Sequence, residues 1–436
     1  RRWTPAPSPL PDGCHLLLHP RVIEGLEKLV PEPGAPDAAP EGLLHHLVVQ
    51  GPDEILPELL QDPDLGHRHV PGHPPLLLPE DVDVVLHLGG EGVRADAQPA
   101  TPLLDAIERR GYDVLSGRVT LPGWKKAALG LETLARARLE PAAVEEVIVG
   151  NVLQAGVGQA PARQAARHAG LPDGVPAWTL NKVCGSGLKA VISAAQSIAL
   201  GDAEVVVAGG MESMSNVPYY DLKQRTGARM GNVSLVDGMV SDGLTDAYDG
   251  IHMGMCAEMT AERFGISRAA QDEFAVESTR RAMEALKQGL FAAEIAPVEI
   301  EGKKGERTTV ADDEGPRTAR PEKIPSLKPV FKKDGTVTAA NASSINDGAA
   351  ALVLMSGERA RREGRPVLAR LVAWGGAARA PVEFTIAPAD AVSATLAKAG
   401  LAAKDVDLWE INEAFAVVSV ANNRLLGLAP KLVNVR

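Results

Sequence analysis

Cys184 is the residue whose surroundings indicate chemistry most clearly. Glycines that allow a tight turn follow it, and an alanine-rich stretch then predicts a helix, in the order Asn181-Lys182-Val183-Cys184-Gly185-Ser186-Gly187-Leu188-Lys189-Ala190. A cysteine at a helix N-terminus lies near free backbone amides and the positive end of the helix dipole, which favour the thiolate that attacks carbonyl carbon. The glycines also leave room for a bulky thioester. An inert buried cysteine is the alternative, but the glycine turn and the helix start favour a nucleophile.

Alternating strand and helix patterns surround this cysteine. Short β-branched runs predict strands at 144–149 and 203–208, and alanine-rich stretches predict helices at 162–169 and 188–200. A strand, helix, strand order implies that the strands pair in parallel. The sequence therefore predicts an α/β protein from about Leu121 onward.

A second passage of this kind follows near the end of the chain, with helices predicted at 389–399 and 413–426 and a strand at 406–411. Its spacing repeats that of the first passage. A leucine is followed five residues later by a valine and by a strand that ends at an asparagine, Asn151 in the first case and Asn412 in the second. This pattern indicates an internal duplication. Taken alone, Asn412 could equally be a helix cap.

Composition excludes several classes of protein. The chain has 436 residues, a net charge of -11 and a pI near 5.5, without a basic stripe, which argues against a nucleic-acid binder. The three cysteines lie far apart, which argues against a disulfide framework or a structural zinc site. Because we find neither a membrane span nor a secretory signal, we expect a cytoplasmic protein, with the mitochondrial matrix as the alternative.

Residues 1–110 have a different composition. Of the 33 prolines, 17 fall within the first 100 residues, together with eight of the ten histidines and a single aromatic residue, Trp3. Dense proline interrupts helices and strands, and the lack of aromatic residues leaves little to anchor a core, so we expect a largely disordered or non-native extension. A histidine-rich metal-binding tail is the alternative.

Separated segments from about residue 120 to residue 436 resemble the thiolase family. They are the nucleophile segment at 181–190 and the segments at 150–159, 161–165, 207–215, 242–254 and 335–350, followed by Asn412-Glu413-Ala414-Phe415. The resemblance implies a five-layered αβαβα fold of two similar halves. The N-terminal half covers 111–335, with a loop domain at about 220–330. The C-terminal half covers 336–436 and is incomplete relative to the family.

The resemblance also implies roles for individual residues. Cys184 would carry the acyl group, and Asn412 would hold a water that polarises the thioester oxygen. The implied substrate-binding residues are His252, Met253, Leu244, Ser343, Ala342, Arg317 and Lys323, of which the two cations would pair with nucleotide phosphates. No cofactor is required beyond the coenzyme A thioester substrates. One subtype binds potassium, whose ligands would correspond to Tyr248, Ala339, Ala340 and Ala342.

The implied activity is that of an acetyl-CoA C-acetyltransferase, which forms or cleaves acetoacetyl-CoA through an acyl-cysteine, in a homodimer or homotetramer. The alternatives are a degradative 3-ketoacyl-CoA thiolase and a non-catalytic acyl-CoA or lipid-binding module. Two departures bear on activity. The family's Arg-Thr-Pro strand is unrecognisable, with 112–120 in its place. Beyond the position of Arg436, the family pattern continues into Gly-His-Pro and Cys-x-Gly motifs, which supply a histidine and a second cysteine as acid and base.

Overall fold

A computed structural model describes residues 108–109, 137, 139–302 and 307–436. The expected disorder of the extension and the segment at 112–120 lie outside these residues, as does the alternative of a metal-binding histidine tail. The strands are β1 (Glu108–Arg109), β2 (Glu146–Gly150), β3 (Ala177–Leu180), β4 (Val205–Ser213), β5 (Tyr219–Tyr220), β6 (Val236–Asp237), β7 (Val298–Gly302), β8 (Arg307–Val310) and β9 (Asp347–Met355). The α-helices are α1 (Pro161–His168), α2 (Ser186–Leu200), α3 (Met253–Arg263), α4 (Arg268–Gln288), α5 (Glu314–Thr318), α6 (Gly357–Arg362), α7 (Ala387–Ala399) and α8 (Ala416–Leu426).

A four-stranded sheet in the order β3-β2-β4-β9 organises the first half. Strand β2 pairs in parallel with both β3 and β4, and β9 pairs with β4 in antiparallel orientation. Val205 and Val207 of β4 pack on one face of the sheet and Val206 packs on the other, so the strand is buried on both sides. The strands predicted at 144–149 and 203–208 are confirmed with slightly shifted ends, and so is their parallel pairing.

Helices cover both faces of this sheet. Ala190 and Ala194 of α2 pack on the face that contains Val206, whereas α1 and α6 contribute to the opposite cluster. A Cβ on Gly150 would lie 2.4 Å from the backbone carbon of Ser186, so the end of β2 requires a glycine in order to hold the start of α2 this closely. The segment Val183–Leu200 is long and apolar enough for a membrane span by length and composition alone, and α2 packs its alanine face on the sheet.

The second half is built around helices. Helices α3 and α8 share a core cluster with Phe415 and Val337, and α7 packs on a smaller cluster that includes Trp409 and Val433. The helices predicted at 389–399 and 413–426 are confirmed as α7 and α8, although α8 begins three residues late. The strand predicted at 406–411 is wrong, because this segment forms a single parallel bridge, Trp409 to Val433, and so lacks the neighbours that sustain a strand.

Strand β9 crosses the predicted boundary between the two halves. It follows residue 335, yet it pairs with β4 from Val205–Met355 to Ser213–Asp347 and completes the sheet of the first half. The region predicted as a loop domain contains the short β5–β6 hairpin, a π-helical turn at Val240–Leu244 and part of a second sheet in the order β1-β7-β8. The boundaries of the two halves, at 111–335 and 336–436, and of the loop domain, at about 220–330, stay predictions.

Candidate active site

Cys184 lies in a tight turn directly before α2, whose N-cap is Gly185. The Ser186 hydroxyl closes this turn, because it accepts from the Lys182 amide at 2.7 Å and donates to the Val183 carbonyl at 2.6 Å. Val183 has φ of 48°, a left-handed conformation that is costly for a β-branched residue. The turn is therefore strained, held by a buried serine, and it leaves Cys184 exposed at a helix start, as the sequence predicted.

The protonation of Cys184 differs from the expectation that the helix start would favour a thiolate. Although the residue is exposed, desolvation by the surrounding protein raises the pKa of its thiol above the ordinary value. The Cys184 backbone amide lowers this pKa by a smaller amount, and the negative charge of Glu212 raises it further. Desolvation therefore outweighs the amides of the turn, so the resting group at neutral pH is a thiol that must give its proton to a base.

An apolar cavity of about 520 Å³ opens beside Cys184, within the size range of small-molecule sites. Its walls come from the ends of β2 and β4, the start of α2, the π-helical turn and the start of β9. Leu244, one of the implied substrate-binding residues, lies in this wall, whereas His252, Met253, Ser343 and Asn412 do not. The hydrophobic lining residues are Val152, Leu153, Val183, Met211, Met214, Leu244, Ala349 and Ala350.

Glu212, which the sequence reasoning missed, holds one wall of this cavity. Its carboxylate accepts from the Val152 amide at 2.9 Å, the Leu153 amide at 3.1 Å and the Asn151 side chain at 2.9 Å. Asn151 also donates to the Met211 carbonyl at 3.0 Å. These bonds fix the segment after β2 against the end of β4. The same carboxylate places a fixed negative charge in the lining of the cavity that contains Cys184.

His252 begins α3 as its N-cap residue, where its Nδ1 accepts from the Gly254 amide at 3.0 Å. Burial lowers the pKa of the imidazole, which keeps the ring neutral at physiological pH. A neutral ring whose Nδ1 accepts must carry its proton on Nε2, so the outer nitrogen is a donor. The ring stacks on Phe331 at 4.7 Å between centroids, and Phe331 in turn contacts Phe415 edge-on.

Met253, Ala342 and Ser343 lie near this histidine in the second half. Met253 and Ala342 are half-buried and pack on the cluster that contains Phe331 and Phe415. The Ser343 amide donates to the Ala414 carbonyl at 3.0 Å, and its hydroxyl donates to the Glu413 carbonyl at 2.7 Å. The segment at 341–343 therefore runs beside 413–416. None of the three residues Met253, Ala342 and Ser343 is among those that line the Cys184 cavity.

Asn412 is exposed and precedes α8 by four residues, so it is not the cap of that helix, whose N-cap is Phe415. The Glu413 carboxylate accepts from the Ser278 hydroxyl and from the Asn434 side chain, both at 2.7 Å. The backbone around Asn412 is thus held from several sides. No signal in the sequence marked Asn434 or Ser278 as partners of Glu413.

A buried carboxylate, Glu258, positions the loop that leads to Ser343. It accepts from the Thr336 and Val337 amides at 2.8 Å and from the Thr336 hydroxyl at 2.9 Å. Its position on α3 ties this loop to the same helix that His252 begins. Helical spacing marks Glu258 only as a charged residue, and its partners lie 78 and 79 residues away in the sequence.

The predicted phosphate and potassium ligands lie on several separate segments of the chain. Arg317 and Lys323 are both exposed, on α5 and on the 3-10 turn Pro321–Ser326. Tyr248 is 84% exposed on a separate turn, while the alanines at 339, 340 and 342 lie in a loop where the Thr338 amide donates to Asn341. The described residues contain no group of three or more His, Cys, Asp or Glu side chains that could hold a metal. These two sites stay predictions.

Comparisons with known proteins agree with this arrangement. The thiolase N-terminal domain model matches residues 126–358, and the thiolase C-terminal domain model matches residues 365–436. Acetyl-CoA acetyltransferase 2 of Arabidopsis thaliana is 54% identical over 319 residues, which cover 72% of this chain and 79% of the relative. A mitochondrial acetyl-CoA acetyltransferase of Xenopus laevis is 51% identical over 317 residues, which cover 72% and 75%.

Solved structures agree as well. A thiolase from Ascaris suum in complex with coenzyme A has a TM-score of 0.70 and 39% identity, and the match covers 81% of this chain and 87% of that one. The acetyl-CoA acetyltransferase of Bacillus anthracis has a TM-score of 0.72 and 37% identity, with 81% and 86% covered. The predicted thiolase fold is thereby confirmed. Because both domain models match, together over most of the sequence, the chain belongs to the thiolase family of acyltransferases.

Proposed function

We propose that this chain is an acetyl-CoA C-acetyltransferase in which Cys184 carries the acetyl group between coenzyme A and an acceptor. The observation that carries the proposal is the exposed Cys184 on a strained turn at a helix start, beside an apolar cavity. The relatives named acetyl-CoA acetyltransferase, at about half identity over most of their length, support the substrate. The thiolase solved with coenzyme A supports a coenzyme A thioester.

The acylation half-reaction follows from the chemistry of the turn. A base takes the proton from the Cys184 thiol, and the sulfur forms a bond to the carbonyl carbon of acetyl-CoA. The bond between that carbon and the sulfur of coenzyme A then breaks, and coenzyme A leaves as a thiolate that takes up a proton. The reverse sequence returns the acetyl group to coenzyme A. The resemblance implies that the base is a histidine, which returns the proton to the leaving coenzyme A, and that a cysteine is the second base needed to form a carbon–carbon bond; the family pattern places both after the position of Arg436.

Groups in the second half are suited to polarise the thioester oxygen in this reaction. The Nε2 proton of neutral His252 is a donor, and the exposed Asn412 amide can hold a water as a second donor. Donors aimed at the developing oxyanion lower the barrier most when they are fixed in advance. We assign acyl and pantetheine contacts to Leu244, Met253, Ala342 and Ser343, and nucleotide phosphates to Arg317 and Lys323.

Intact mass after incubation with acetyl-CoA tests the proposal. We expect the chain to gain the mass of one acetyl group, and peptide mapping to place it on Cys184. Cys184→Ser is expected to abolish rapid labelling, whereas Cys256→Ser is the matched control, because Cys256 is 1% exposed inside α3. Labelling that persists in Cys184→Ser, or no labelling of the unchanged chain, would contradict the proposal.

A further inference from the structure

The Asn434 side chain makes a peptide-like clamp on the residues that flank Asn412. Its Oδ1 accepts from the Ile411 amide at 2.8 Å, and its Nδ2 donates to the Ile411 carbonyl at 2.8 Å. Nδ2 also donates to the Glu413 carboxylate at 2.7 Å. One side chain therefore satisfies both backbone groups of the residue before Asn412 and holds the side chain of the residue after it.

The backbone of Asn434 is itself fixed in the orientation that this clamp needs. Asn434 has φ of 48°, a left-handed conformation that asparagine adopts more readily than most residues. Its amide donates to the Trp409 carbonyl at 2.8 Å. The Arg281 guanidinium on α4 donates to the carbonyls of Val433 at 2.7 Å and Asn434 at 3.0 Å. The clamp is thus anchored to helix α4.

The other bonds around Asn412 reinforce the clamp and leave the Asn412 side chain exposed. Ser278, also on α4, donates to the Glu413 carboxylate at 2.7 Å, and Ser343 donates to the Glu413 carbonyl at 2.7 Å. The residues on both sides of Asn412 are therefore held, and among the described hydrogen bonds the Asn412 side chain itself has none. A fixed backbone with a free side-chain amide is what a pre-organised donor requires.

We propose that Asn434 is a positioning residue for the proposed reaction: by clamping Ile411 and Glu413, it holds the Asn412 amide in the orientation that lets it act on the thioester. This inference rests on the proposed function.

A double-mutant cycle on the rate of Cys184 acetylation tests the proposal. Asn434→Asp keeps an acceptor for the Ile411 amide but loses both donor bonds and places a charge beside Glu413. We expect the maximal acetylation rate to fall roughly 10- to 100-fold, because small misplacements of a catalytic group have effects of this size. The acetyl-CoA concentration for half-maximal rate is expected to change little, since the bonds of the Asn434 side chain all go to Ile411 and Glu413. In an Asn412→Ala background, Asn434→Asp is expected to cause no further loss.

The controls separate positioning from general damage. Asn232→Ala, at an exposed asparagine in a loop, is expected to leave the rate unchanged. In Asn434→Ala, the Ile411 amide is expected to exchange with deuterium faster than in the unchanged chain, which checks the clamp without activity. An equal loss of rate in both backgrounds, or no loss in either, would overturn the positioning role while leaving the acyl-cysteine intact. Absence of acetylation in the unchanged chain overturns the proposed function and this inference with it.

Discussion

Asn151 and Asn412 occupy the same place in the two repeated passages, but they differ in burial and in the hydrogen bonds of their side chains. Asn151 is 1% exposed and donates to the Met211 carbonyl and to the Glu212 carboxylate. Asn412 is exposed, and the bonds around it go to its neighbours. In the first half the asparagine side chain therefore fixes the surrounding backbone, whereas in the second half other residues fix the backbone on both sides of the asparagine.

The difference follows from what surrounds each residue. Asn151 directly follows β2, which has parallel neighbours on both sides, and its side chain is buried against the end of β4. Near Asn412 the described part of the chain forms only isolated bridges, Trp409 to Val433 and Ala342 to Phe415, and the Asn412 side chain is exposed. The comparison shows that a repeated sequence pattern can supply a structural residue in one half and an exposed functional candidate in the other.

The comparison is sharpened most by Asn412→Ala. Because Asn412 is exposed, we expect stability to stay within about 0.5 kcal/mol of the unchanged chain. The rate of Cys184 acetylation is expected to fall roughly 100-fold, the size typical for removing a donor to an oxyanion. Stopped-time mass spectrometry and thermal melting measure the two effects. A large loss of stability with an unchanged rate would reverse the assignment.

Asn151→Ala is the matched change in the first half, and it should show the opposite balance. It removes two hydrogen bonds and leaves the Met211 carbonyl and part of the Glu212 carboxylate unsatisfied, so we expect a loss of about 2 kcal/mol in the free energy of unfolding. Denaturant unfolding measures this loss. A variant as stable as the unchanged chain would show that the Asn151 side chain does not stabilise the contact between the segment after β2 and the end of β4.

Gly150→Ala tests the close contact between β2 and the start of α2. The added methyl group would lie 2.4 Å from the Ser186 backbone, which cannot yield as a flexible side chain does. We expect a loss of about 1.5 kcal/mol, typical of overpacking, together with slower alkylation of Cys184 because the turn shifts. The equivalent residue in the second half, Ile411, already carries a side chain, and Ile411→Ala is the control for the contrast. A stable and fully reactive Gly150→Ala would contradict the contact.

The smallest expected effect concerns pH. The raised pKa of Cys184 means that less thiolate is present at a given pH, so its alkylation by iodoacetamide should keep rising beyond the pH at which an ordinary thiol levels off. Glu212→Gln removes a charge that raises this pKa, which shifts the profile to lower pH. Peptide mass spectrometry of the Cys184 peptide follows the reaction. A shift to higher pH in the variant would contradict the role of Glu212.

Local patterns predicted the parts of the site that depend on neighbours in sequence. The turn at Cys184, the parallel strands and the helices α2 and α8 follow from glycines, β-branched runs and alanine-rich stretches. Glu212, Glu258 and Asn434 were missed because their partners lie 60, 78 and 23 residues away, and their side chains look like ordinary polar surface residues in sequence. The protonation of Cys184 was missed for a similar reason, since desolvation depends on the assembled cavity and not on the helix start alone. The strand at 406–411 failed because strand formation depends on neighbouring strands.

The central claim, that Cys184 carries the acyl group, is tested most directly by isotope exchange between labelled coenzyme A and acetyl-CoA. This exchange needs an acyl-enzyme and no carbon–carbon bond formation, so it isolates the half-reaction assigned to this cysteine. The account predicts that label enters acetyl-CoA in the presence of the unchanged chain and that Cys184→Ser abolishes the exchange. Exchange that survives in Cys184→Ser, or its absence with the unchanged chain, would contradict it.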